Sequence, residues 1–165
     1  MKPELFNFYN MQEEKLHFLR EEMFLLLEKL TADKIQVWGK MNAQQMLEHL
    51  ADFFNVSSGK ILFELVTPEE HLPKYREFLY SDKEFRENTR APASVLGDEP
   101  LPKRKPGIEA AKEDLKLSVE DFVDYFQADK EKKTMHPVFG ALNFDEWVLL
   151  HYKHVRHHLR QFGLL

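Results

Sequence analysis

The stretch FDEWVLLHYKHVRHHLRQF, residues 144–162, decides how this chain is read. Wound as an α-helix at about 100° per residue, it puts Trp147 at the centre of one face, His154 and His158 about 20° to either side, and His151 about 40° away. Lys153, Arg156 and Arg160 fall on the opposite, solvent side. Asn143 and Glu146 form a capping box at its start, and Gly163 marks its exit. The face turned to a core therefore carries three imidazoles. A buried polar group without a partner costs about 1–3 kcal/mol, so three on one stripe require a shared explanation.

His154 and His158 are four residues apart, one helical turn, with Cβ atoms about 5–6 Å from each other, a reach that suits two imidazoles on one divalent ion. A metal site needs at least a third ligand. His49 is the candidate: on the wheel of its own helix it lies between Met46, Phe53 and Val56, at the edge of an apolar stripe. Its acidic neighbours Glu48 and Asp52 point outward by the same arithmetic. Three histidines with an open position form a catalytic type of site rather than a closed structural one. His151 is the nearest spare titratable group, a candidate proton carrier or partner to a ligand. Trp147, Phe53, Met46 and Gln161 are the expected pocket lining. His157 lies off the stripe and is expected to orient or pack, while His17, His71 and His136 are isolated and receive no role.

Three further helices are expected, at about residues 12–30, 42–58 and 108–128. Leu16, Leu19, Met23, Leu27 and Leu30 stripe the first. Met46, Leu50, Phe53 and Ser57 share a face of the second, behind a capping box of Asn42 and Gln45. Ile108, Ala111, Leu115, Val119, Phe122 and Phe126 stripe the third. Residues 60–106 break the pattern and hold six of the eight prolines, yet carry too many large apolar groups for a disordered linker. They are expected to form a long ordered crossover packed over the helices, with a short helix between Lys74 and Arg86. The expectation is an all-α fold in one domain, residues 1–165: a four-helix bundle with its long crossover between helices 2 and 3.

Composition narrows the function. The chain has 165 residues, a net charge of −5 and no cysteine. The length fits one domain. The acidic balance argues against nucleic-acid binding, and the basic runs Lys103-Arg104-Lys105 and Lys130–Lys133 are short and loop-like. Lack of cysteine excludes disulfides, thiolate zinc sites and a cysteine nucleophile, and agrees with a reducing cytoplasm. No stretch is long and apolar enough to span a membrane. The N-terminus, with early acids and no apolar signal core, reads as mature protein. No nucleophile elbow, Walker or Rossmann glycine pattern is present.

Two strings carry a resemblance. One is WGKMNAQQMLEHL, residues 38–50; the other is HPVFGALNFDEW, residues 136–147, followed by HYKHVRHHLRQFG, residues 151–163. Together they resemble the DinB/YfiT-like superfamily of four-helix-bundle proteins, within a branch whose reaction is uncharacterised. The resemblance implies a divalent metal, often nickel or zinc, held by one histidine of the second helix and two of the last. These correspond to His49, His154 and His158, the trio that the wheel selects. One departure is Leu159-Arg160-Gln161, where many members have Arg-Gly-Gln; the ligand spacing is kept and the change falls on the packing behind the pair. The resemblance implies metal-dependent hydrolysis of a small molecule by metal-activated water, or transfer and isomerisation with a low-molecular-weight thiol. It also implies a homodimer. The other class of reading is a non-catalytic dimeric binding module whose histidines hold a structural or vestigial ion, with Lys153, Arg156 and Arg160 as a partner surface.

Overall fold

The computed structural model describes residues 11–165; the reading of the extreme N-terminus falls largely outside them. Helix α1 covers residues 11–27. Leu19, Met23 and Leu27 are buried along it, as is Leu30 just beyond. Its middle, Phe18–Glu22, winds as a π-turn. A π-turn takes one extra residue into the helical path, and here the sequence neighbours Phe18 and Leu19 are both buried.

Helix α2 is Ala43–Ser57 and opens on the expected capping box: Asn42 Oδ1 accepts from Gln45 N at 2.9 Å, and Gln45 Oε1 accepts from Asn42 N at 3.0 Å. The crossover follows, with helix α3 at Leu72–Tyr80 and the single turn α4 at Ala93–Leu96. Helix α5 is Ile108–Gln127. Helix α6 is Phe144–Gln161, capped reciprocally by Asn143 and Glu146. The principal helix-to-helix contact is α2 on α5, while α6 packs on α2, α1 and α3. Phe54, Phe122, Phe126, Trp147 and Phe162 are the largest fully buried aromatic rings.

The all-α expectation needs one correction. Strands β1, Thr134–His136, and β2, Gly140–Leu142, form an antiparallel hairpin with His136 opposite Gly140. Three-residue strands leave no readable alternation, which is why periodicity missed them. The hairpin fixes the start of α6: Thr134 Oγ1 accepts from Trp147 Nε1 and donates to Ser57 O, both at 2.8 Å. His136, given no role from sequence, holds the hairpin turn. Its Nδ1 accepts from Val138 N at 2.9 Å and Phe139 N at 3.0 Å.

The crossover is ordered as expected, but α3 ends at Tyr80, short of Arg86, and its neighbour Ser81 turns to extended backbone. It is bound to the face of α6 that the wheel assigned to solvent, so that assignment is corrected. Glu146 accepts from Arg76 and from Tyr80 Oη. Lys153 is buried, and its ammonium donates to the carbonyls of Ser81 and Lys83. Glu84 accepts from Arg156 and Arg160. Lys153, Arg156 and Arg160 thus bind this chain's own crossover.

A third correction concerns Glu48, read as outward-pointing. It is buried and accepts from Gln44, from Arg104 Nε and from the backbone N–H groups of Arg104 and Lys105. Burial alone would raise its pKa; these hydrogen bonds, led by Gln44, outweigh that and hold it below the usual carboxylate range. The basic run 103–105 is therefore the segment's anchor on α2.

Two outcomes follow from these contacts. Glu48→Ala orphans buried donors and should destabilise the protein by about 2–4 kcal/mol in urea unfolding, whereas exposed Glu69→Ala should stay within about 0.5 kcal/mol. Burial pushes His136 down to about 3, so its folded pKa lies below the unfolded value. Between these values the unfolded state binds the proton and the folded state does not. Stability is therefore complete above about pH 6.5 and falls as pH drops toward 3, by up to about 1.4 kcal/mol per pH unit for this group. His136→Asn, whose Oδ1 replaces the Nδ1 acceptor without titrating, should flatten part of that slope in chelator-treated protein.

Candidate metal centre

α2 and α6 run so that the start of one lies beside the end of the other, with Gly39, ahead of α2, touching Gln161. This places His49 opposite the pair His154 and His158. His49 Nε2 and His158 Nε2 each lie 3.0 Å from His154 Nε2. One nitrogen from each ring falls within 4.8 Å of the others, and the trio is able to hold a metal ion. His158 is buried, while His49 and His154 keep partial exposure.

The hydrogen bonds behind the triad fix which nitrogen is free. Gln161 Nε2 donates to Trp38 O at 2.9 Å, so its Oε1 is the acceptor facing His158 Nδ1 at 2.8 Å. His158 Nδ1 therefore carries the proton and Nε2 offers a lone pair. Burial pushes His49 down to about 4, with nearby His157 acting in the same direction. His154 and His158 also lie well below the ordinary histidine value, chiefly through burial. All three are neutral at pH 7, the form that ligates a metal.

Neutral rings satisfy this contact poorly. A bare His154 Nε2 would oppose the lone pair of His158; a protonated one would split a single N–H between two acceptors. His154 Nδ1, on the far side of the ring, is buried without a hydrogen-bond partner among the described residues, and an ion on Nε2 would leave it so. A divalent cation would take all three lone pairs at once, and separations near 3 Å suit neighbouring nitrogens on an ion with bonds of about 2.0–2.1 Å. The donor set fits the group.

The other expected site residues take different places. Phe53 packs directly on His154, with centroids 4.3 Å apart. Met46 and Trp147 are fully buried, and Trp147 is held by Thr134 rather than walling an opening. Gln161 lies buried behind His158. His151 is also fully buried, stacked on Phe54 at 3.8 Å. Ser57 Oγ donates to Phe54 O, so His151 Nε2–H donates to Ser57 Oγ at 2.9 Å. Phe53 touches both His151 and His154. His151 thus sits one layer deeper than a proton carrier needs. His157 packs between Trp38 and Phe85, as expected for an orienting or packing ring. A groove of about 590 Å³ lies on the other side of α6, lined by Phe18, Leu25, Tyr152 and Arg156 among others, and does not include the triad.

Sequence reading did not foresee the tie from Gln161 to His158 and Trp38. The available signal was its spacing three residues after His158, which places both on one helix face. The expected discrimination among histidines is specific: His49→Ala or His154→Ala should abolish zinc binding in a chelator-competition titration, while His157→Phe, which keeps a ring between Trp38 and Phe85, should retain it.

The sequence profile described as the DinB superfamily matches residues 15–162. No significant match occurs among curated proteins or among solved structures. The family match spans α1 through α6 and includes all three converging histidines, and on that extent the chain belongs to the DinB superfamily.

Proposed function

We propose that this chain is a metal-dependent hydrolase of small molecules, built as a DinB-type four-helix bundle of α1, α2, α5 and α6 in a single domain. The observation that carries the reading is the convergence of three neutral Nε2 atoms from two helices. His49, His154 and His158 would hold a divalent ion, zinc or nickel. When bound, such an ion supplies Lewis acidity and lowers the pKa of a coordinated water to about 7. The chain's own residues do the rest. Gln161 presents His158 Nε2, and Phe53 gives His154 an apolar wall that limits water on that side.

One observation favours a second reading within the same site. His151 is enclosed by Phe54, Phe53 and Trp147 and already donates to Ser57. It is poorly placed to take a proton from a nucleophile. A low-molecular-weight thiol, arriving as thiolate, needs no such base, so S-transfer is the alternative chemistry.

The test begins with elemental analysis of protein purified without a nickel column. About one equivalent of a divalent ion is expected, lost in His49→Ala and His158→Ala with the fold retained. Turnover of ester and amide panels, with and without added thiol, should disappear in the same variants. Metal-free protein that stays active would overturn the proposal. Metal that raises Tm strongly, with no turnover on any panel, would favour the non-catalytic module.

A further inference from the structure

Gln161 is tied on three sides. Its Oε1 faces His158 Nδ1 at 2.8 Å, its Nε2 donates to Trp38 O at 2.9 Å, and its backbone carbonyl accepts from Val37 N at 2.7 Å. The segment that supplies the last two contacts makes its close approach at Gly39. There φ is +83°, and a Cβ would lie 2.4 Å from Gln161 Nε2. The amide fills the space that a side chain at 39 would need. Beside it, Trp38 lies edge-on to His157, with centroids 5.7 Å apart.

A backbone carbonyl only accepts. Trp38 O therefore forces the nitrogen of Gln161 toward itself and the oxygen toward His158, and that oxygen forces the proton of His158 onto Nδ1. The tautomer that exposes Nε2 is set by a main-chain group more than a hundred residues away in sequence. We propose that Gln161 is a positioning residue for the metal centre and that residues 37–39 belong to that centre, with Gly39 glycine because the amide of Gln161 must lie against it. The inference rests on the metal-binding reading of the triad.

Gln161→Leu, Gly39→Ala and Gly163→Ala separate the contributions. Gly163 also has positive φ, +63°, but a Cβ there meets nothing within 4 Å, so it controls for backbone strain alone. Gln161→Leu and Gly39→Ala should each weaken zinc binding about 10–100-fold in competition titrations, with Gly163→Ala within about twofold of wild type. In metal-free protein, ¹⁵N-detected histidine spectra should show the His158 Nδ1–H form in wild type and Gly163→Ala, and its loss in the other two. Circular dichroism checks folding, and if Gly39→Ala does not fold, Gln161→Leu decides. Wild-type zinc affinity and an unchanged His158 tautomer in Gln161→Leu would overturn the proposal. His158→Ala run alongside distinguishes the two levels: zinc retained there counts against the metal centre itself, while the metal-free spectra still report on Gln161.

Discussion

Three imidazole nitrogens face one another where α2 meets the end of α6, and the rest of the structure is arranged around that contact. Burial removes the hydration that would stabilise imidazolium, so the rings stay neutral and present lone pairs rather than charges. Neutral nitrogens this close can share at most one N–H between two acceptors. A cation would resolve the conflict, and the elements that hold the rings are helices rather than loops, which suits a site whose nitrogens must keep fixed directions.

α6 organises the molecule by using both of its faces. Inward, it presents Trp147, His151, His154 and His158 in turn. Outward, Glu146, Lys153, Arg156 and Arg160 grip the crossover from α3 through Glu84. Exposed ion pairs of the Glu84 kind are worth only about 0.2–1 kcal/mol each. Lys153 and Glu146 are different, since both are buried and their hydrogen bonds cannot be replaced by water without opening the seam. The same strap brings Phe85 against His157, the residue beside His158. Packing on the outer face of α6 and imidazole placement on its inner face are thus properties of one helix.

Below the triad lies an aromatic layer in which His151 behaves as a packing ring with one polar tip. It stacks on Phe54, meets Phe122 edge-on and donates to Ser57. Phe53 divides this layer from the triad, touching His154 on one side and His151 on the other. One helical turn separates two histidines with different physics: His154 keeps partial exposure and faces two other imidazoles, while His151 is sealed in the core. Chemical identity alone did not distinguish them; depth did.

Local and periodic features were legible in the chain itself. Asn42 with Gln45 and Asn143 with Glu146 cap their helices because the bonds span three residues and need no tertiary partner. The stripe of Leu19, Met23 and Leu27, and the shared face of His154 and His158, follow from helical repeat alone. His49 could be nominated because it lies on an apolar edge. Other features required the folded arrangement. Glu48 looked outward until Arg104 and Lys105 folded over it, and the basic strip of α6 looked solvated until the crossover covered it. The hairpin at His136 was too short to leave a period. The proton position on His158 depends on Trp38 O acting through Gln161, a contact spanning the chain. Sequence determined what repeats along one helix; the tertiary structure decided whatever depends on a partner distant in sequence, because burial and hydrogen-bond direction are properties of pairs of segments.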